Sequence, residues 1–278
     1  MLIRDIDIQT GSSQDYAHMT LYIQHDTDQI PIHQRGIILI LPGGAYAWTS
    51  PREGEPVALA FAARGYHTAI LWYSTAPSVF PTALQETARA VTALYRNAAE
   101  WHIDPERIVL LGFSAGGHLA ASYACFWNRR DLIGSTGFAG DERHPDGLLK
   151  PAGLILGYPV ITSDPSCCHQ GSIANLLGDM QNDPELLRLV SLEHQAGSQV
   201  PPTFLWNTAA DESVPPENSL LFANALLKAH VPVEYHLYQK GGHGLSLASP
   251  LTDSNAHDRH EKECESWVDL CTTWLAQL

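Results

Sequence analysis

The stretch LLGFSAGGHLA at 110–120 sets Ser114 between Gly112 and Gly116, in a Gly-x-Ser-x-Gly pattern. A serine hydroxyl is a weak nucleophile until a neighbouring base removes its proton and a third group orients that base. An apolar run precedes the serine and small, helix-compatible residues follow it, which is the strand–turn–helix setting in which such a serine becomes exposed and reactive. The five-residue pattern alone describes a glycine-rich turn equally well. Its meaning depends on whether the chain supplies partners.

Three further loops supply them. NTAADESVPPENS at 207–219 offers a carboxylate just beyond an apolar run, with Asp211 as the first choice and Glu212 as the runner-up for orienting a base. QKGGHGLSLA at 239–248 offers His243, flanked by glycines that let a loop project an imidazole. With 14 histidines in the chain, position is what singles this one out. His118 lies four residues after Ser114 on the expected helix, pointing away from the turn, and reads as structural. His257 and His260 share an i,i+3 spacing without accompanying ligands, so no metal is expected there, and no cofactor motif is present. The fourth loop is LPGGAYAW at 41–48. The N–H groups of Gly44 and Ala45, with that of Ala115, are the candidate donors to a developing oxyanion. Tyr46 and Trp48, just beyond, could wall a small acyl site or simply pack against the next helix.

The elements that must position these loops alternate between short β-rich runs and helical patterns. That alternation predicts an α/β protein with a mostly parallel sheet covered by helices on both faces. Strands are expected at 18–24, 36–42, 67–73, 107–113, 152–159, 202–208 and 233–239. Helices are expected at 56–64, 82–101, 116–127, 217–230 and 261–277. Each candidate loop follows one of the strands, as ligand and catalytic loops of open α/β sheets do. The turn-rich segment 161–200 breaks the alternation and reads as a cap over the site. No linker or repeat divides residues 1–278, so one domain is expected.

Composition narrows the function classes. A net charge of −14 with no basic cluster argues against a nucleic-acid partner. The N-terminus lacks the apolar core of a signal peptide, and no run approaches a membrane span. Five cysteines without metal-type spacing fit reduced thiols, and a cytoplasmic setting is expected. A homodimer is compatible with an exposed first-strand edge but is not demanded by anything in the sequence.

The order Ser114, Asp211, His243, together with the PGGA loop, resembles the α/β-hydrolases of the acetyl-esterase/lipase group, in particular bacterial acetyl-xylan-esterase-like proteins. The likeness covers most of the chain after residue 36, through GFSAGGHLA, GYPVIT, PPTFLWNTAADESVPPENSLLFANAL and KGGHGLSLA. It implies an α/β-hydrolase fold with about eight strands and a short cap. It also implies a Ser114–His243–Asp211 triad acting through an acyl-enzyme on small esters, short-chain acyl or acetyl, with acetylated sugars among them. One departure is Pro42-Gly43-Gly44-Ala45 where the hormone-sensitive-lipase branch carries His-Gly-Gly-Gly, which argues against that branch. Fold and triad alone leave amide, formamide or peptide hydrolysis open. A non-catalytic binding module would require a broken triad.

Overall fold

The computed structural model describes residues 1–29, 32–253 and 260–278. Eight strands run in chain order: β1 (Leu2–Asp7), β2 (His18–Ile23), β3 (Arg35–Leu41), β4 (His67–Trp72), β5 (Ile103–Phe113), β6 (Gly153–Gly157), β7 (Thr203–Thr208) and β8 (Val233–Tyr238). They form a single sheet in the order β1-β2-β4-β3-β5-β6-β7-β8. β2 is antiparallel to both β1 and β4, while β4, β3, β5, β6, β7 and β8 are mutually parallel. All parallel strands therefore deliver their carboxyl ends, and the loops that follow, to one edge of the sheet.

The helices are α1 (Glu55–Ala62), α2 (Thr82–Arg96), α3 (Ser114–Phe126), α4 (Arg130–Ile133), α5 (Gln170–Leu177), α6 (Pro184–Val190), α7 (Glu217–Lys228) and α8 (Trp267–Leu275). Alternate residues of the central strands feed two cores. Ile37, Leu39 and Leu41 of β3 face the core completed by Leu84 and Val91 of α2, Leu119 of α3 and Phe222 of α7. Ile38 and Ile40 face the core completed by Phe61 of α1 and Trp267 and Cys271 of α8. A strand buried on both faces needs a continuous apolar run, and β3 has one.

Two helices are shorter than the periodicity predicts. α2 stops at Arg96 because Asn97 leaves the helical region (φ −101°, ψ 13°) and the chain must turn into β5. α8 begins only at Trp267, after a 3₁₀ turn at Cys264–Ser266. The strand Leu2–Asp7, not among the seven read from the sequence, lies largely exposed at the outer edge. The segment 161–200 carries α5, α6 and two short 3₁₀ turns, and it reaches the loop after β3 through Asn175 Nδ2, which donates to the Ala45 carbonyl at 2.9 Å. Among the described residues, no helix is long and apolar enough to cross a membrane.

Candidate active site

Ser114 occupies the first position of α3, immediately after β5 ends at Phe113. Its φ of 52° is a left-handed backbone conformation that a residue with a Cβ adopts only when its surroundings enforce it. What enforces it is the proximity of strand and helix. A Cβ on Gly112 would lie 2.3 Å from the Gly116 carbonyl oxygen, and one on Gly116 would lie 2.1 Å from that of Leu41. Both distances are impossible, so glycine at these two places permits the sharp turn that lifts the serine side chain out of the sheet edge.

The structure brings Ser114, His243 and Asp211 into one hydrogen-bonded chain. Ser114 Oγ lies 2.8 Å from His243 Nε2, although the two residues are 129 positions apart in sequence. His243 Nδ1 lies 2.7 Å from Asp211 Oδ2. The other carboxylate oxygen, Oδ1, accepts the backbone N–H groups of Ser213 and Val214, each at 2.9 Å. The Asp211 side chain is fully buried and that of His243 is about one-fifth exposed. Glu212, the runner-up acid, is exposed. The imidazole thus has an acceptor on one side, a hydroxyl on the other, and an opening to solvent through which a substrate can approach.

The loop after β3 lies against the nucleophile. A Cβ on Gly43 would come within 2.9 Å of Ser114 Cβ, so this loop and the serine are in close contact. The Gly43 N–H is used by Glu53 Oε2 at 2.7 Å. Among the described residues, the N–H groups of Gly44 and Ala45 donate to no protein acceptor outside regular elements. Gly44 has φ 133°, and Ala45 and Tyr46 both have φ 56°, a run of left-handed residues that turns the loop back on itself. Ala115 sits in the first turn of α3, where backbone N–H groups have no helical acceptor. These three donors therefore lie on the two segments that border Ser114.

Tyr46 and Trp48 are placed differently from one another. The expectation that Tyr46 walls an acyl site needs correction: its ring is buried in the core, edge-on to Tyr73, with its hydroxyl 2.8 Å from His118 Nδ1. The left-handed backbone at Tyr46 turns the side chain inward, a direction that spacing does not reveal. Trp48 is 56 % exposed. His118 is wholly buried between Tyr46 and the Val190 carbonyl, which lies 2.8 Å from Nε2. His257 lies outside the described residues, and among the described residues no group of three or more His, Cys, Asp or Glu side chains gathers as a metal site would.

Burial pulls the His118 pKa down to about 4, against a partial opposing effect from the Val190 carbonyl. His67, also desolvated, is likewise lowered to about 4. Both folded-state values lie below the unfolded value near 6.5, so the unfolded chain takes up protons first as pH falls. Their stabilising effect is complete above about pH 6.5 and is lost progressively toward pH 4. A tenfold difference in proton affinity is worth about 1.4 kcal/mol, so His118 alone accounts for a loss on the order of 3 kcal/mol across this window. Thermal unfolding followed from pH 7.5 to pH 4.5 is expected to show Tm falling with acidity, with a shallower fall in His118→Gln. An unchanged slope in that variant would refute the assignment.

Three site neighbours escape sequence reasoning. Glu53 is 3 % exposed and bridges the β3 loop to Tyr158, which begins the loop after β6. Tyr158 packs edge-on against His243, with ring centroids 5.1 Å apart. His169 caps the N-terminus of α5 and is half-buried near the triad, where desolvation and the neighbouring His243 lower its pKa. A glutamate placed between a glycine loop and an apolar helix, and a tyrosine at a strand's carboxyl end, were the available signals.

A BD-FAE family model matches residues 21–226. The chain belongs to the BD-FAE family. Its sheet order and helices are those of an α/β-hydrolase. Among solved structures, this BD-FAE chain is 37 % identical to an acetyl ester-xyloside bifunctional hydrolase from Caldicellulosiruptor lactoaceticus, with a TM-score of 0.78 over 94 % of this chain and 88 % of that one. It is 29 % identical to a carboxylesterase from Lactobacillus plantarum, with a TM-score of 0.83 over 100 % and 98 % of the two chains. A curated relative, endo-1,4-beta-xylanase B from Butyrivibrio fibrisolvens, is 36 % identical over 220 residues, covering 78 % of this chain. The BD-FAE chain spans only 33 % of that relative's length.

Proposed function

We propose that this BD-FAE chain is a serine carboxylesterase that hydrolyses short-chain acyl esters, acetyl esters of sugars foremost. The observation that carries the reading is the continuous hydrogen-bonded chain from Ser114 through His243 to Asp211. His243 Nε2 takes the hydroxyl proton as Ser114 Oγ forms a bond to the ester carbonyl carbon, and the carbonyl electron pair moves onto oxygen. That oxyanion is met by the N–H groups of Ala115, Gly44 and Ala45, the first reinforced by the N-terminal end of α3. Collapse breaks the bond to the alcohol, which leaves with the proton held on His243. Water then repeats the sequence on the acyl-enzyme, with His243 again as base, and releases the acid and free Ser114. Asp211 keeps the Nδ1–H tautomer, so that Nε2 is always the acceptor when attack begins.

Two features support a small acyl group on a sugar. The segment 161–200 is tied by Asn175 to the Ala45 carbonyl and so lies against the loop that carries the candidate oxyanion donors, which favours a small acyl group there. Trp48 presents an exposed indole beyond the same loop, a surface on which a sugar ring can stack. The names of the solved bifunctional hydrolase and the curated xylanase agree with a carbohydrate setting. A panel of p-nitrophenyl esters from acetate to octanoate, acetylated xylo-oligosaccharides, N-formylkynurenine and aminoacyl amides tests it. We expect kcat/KM to be highest for acetyl esters and to fall with acyl length, with hydrolysis of the acetylated oligosaccharides. Faster turnover of the amides or the formamide would replace the esterase reading with an amidase one.

A further inference from the structure

The turn Pro51–Glu53, between the β3 loop and α1, holds both halves of the site at once. Glu53 is buried, and both of its carboxylate oxygens are engaged by neutral donors. Oε2 accepts the Gly43 N–H and Oε1 accepts the Tyr158 hydroxyl, each at 2.7 Å. The Tyr158 oxygen in turn accepts the Ser246 N–H at 2.8 Å, three residues beyond His243, while the Tyr158 ring lies edge-on to the His243 imidazole at an interplanar angle of 74°. The adjacent Arg52 closes the bracket: its guanidinium donates to the carbonyls of Gly244 (3.1 Å) and Thr252, and its own carbonyl accepts Ser246 Oγ at 2.7 Å.

Burying a carboxyl group is costly unless every lone pair is satisfied, and a well-packed apolar residue in its place is often neutral or better for stability. Here the group's partners are the loop that borders the nucleophile and the Tyr158 hydroxyl, which itself accepts an N–H from the loop that carries the base. We propose that Glu53 is a positioning residue for the Ser114 chemistry, acting through Gly43 on the oxyanion loop and through Tyr158 on His243. Engaging the Gly43 N–H fixes the plane of the Pro42–Gly43 peptide, one residue before the Gly44 donor, and so anchors the entry to the turn that carries the next donors. Engaging the Tyr158 hydroxyl fixes the ring against which the imidazole rests. Displacing reacting groups by even an ångström costs about a hundredfold in rate, so a bracket joining the two loops acts on kcat and leaves ground-state binding alone. The inference rests on the esterase reading above.

The test uses Glu53→Gln, Tyr158→Phe and the double variant of the full chain. An amide keeps the shape but offers one acceptor to two donors, and phenylalanine keeps the ring while removing the link to Glu53 and Ser246. Thermal melts, the rate of Ser114 labelling by a fluorophosphonate, and kcat and KM on p-nitrophenyl acetate are measured for each. Glu53→Gln is expected to lower both kcat and the labelling rate by about tenfold or more with KM within about twofold. The double variant is expected to be little worse than Glu53→Gln alone, because the Tyr158 path runs through Glu53 and is already weakened there. A folded Glu53→Gln enzyme that labels and turns over at the wild-type rate overturns the proposal. If Glu53→Gln melts below the assay temperature, wild-type rates in folded Tyr158→Phe overturn it equally. A wild-type protein that labels but hydrolyses no ester sinks the esterase reading, while the labelling rates still decide the role of Glu53. A wild-type protein inert to the fluorophosphonate overturns both.

Discussion

Replacing Ser114 by alanine is expected to reduce kcat on p-nitrophenyl acetate by about a millionfold, with the fold intact. The magnitude follows from the arrangement. In the proposed mechanism Ser114 Oγ is the atom of the hydrogen-bonded chain that bonds to the substrate, and without it His243 and Asp211 would have no nucleophile to activate. What remains is the oxyanion loop and whatever water can occupy the vacated position, and such sites retain only a small rate advantage over solvent. Alanine keeps the Cβ and can hold the φ of 52° at the same cost as serine, so the melting temperature should change little. Fluorophosphonate labelling should vanish in parallel with turnover. A purified, folded Ser114→Ala protein with wild-type esterase activity would require a different nucleophile and would end the mechanism given above.

The second large effect is expected from Asp211→Asn, at about ten-thousandfold in kcat with KM nearly unchanged. In the proposed mechanism Asp211 acts through His243, deciding which of its nitrogens carries the proton. Its Oδ1 is held by the N–H groups of Ser213 and Val214, and an asparagine would keep its carbonyl oxygen in that place for the same two bonds. The amide nitrogen would then face His243 Nδ1 with its hydrogens, forcing Nδ1 to accept and moving the proton to Nε2. A protonated Nε2 in the neutral ring cannot take the serine proton. Glu212→Gln, one position along and exposed, serves as the control and is expected to leave kcat within about twofold, since the exchange removes only a solvated surface charge. Steady-state kinetics on the three proteins separate the outcomes: comparable losses in both variants would mean that the acid has been misassigned.

Much of this site was legible because each chemical group follows a strand, and strands buried on both faces are conspicuous as apolar runs. Ser114 and Asp211 each lie just past such a run, His243 follows the half-buried edge strand β8, and parallel pairing carries all three to one edge. The direction of side chains was less legible. Tyr46 stands two residues from Gly44 in a loop that faces the site, yet a left-handed backbone turns its ring into the core toward His118. Glu53 and Tyr158 were invisible for another reason. They are 105 residues apart, and what joins them to the site, the hydrogen bonds to Gly43 and Ser246 and the Tyr158 ring against His243, is long-range, so the local signals at each position do not single them out. Helix lengths were over-read where a good periodic pattern met a turn, as at Asn97.

The order of the strands has one more consequence. The proposed nucleophile follows β5 at the middle of the sheet, whereas the proposed base follows β8, the last strand in the chain and the one at the far edge. Between them the acid comes with β7, and the bracket at Pro51–Glu53 must dock on the loop that follows β8. Under the proposed mechanism, therefore, reactivity is expected to require the far edge of the sheet as well as its centre. Ser114 then has its base only when β8 is seated, so the onset of fluorophosphonate labelling during refolding is expected to report docking of that edge strand.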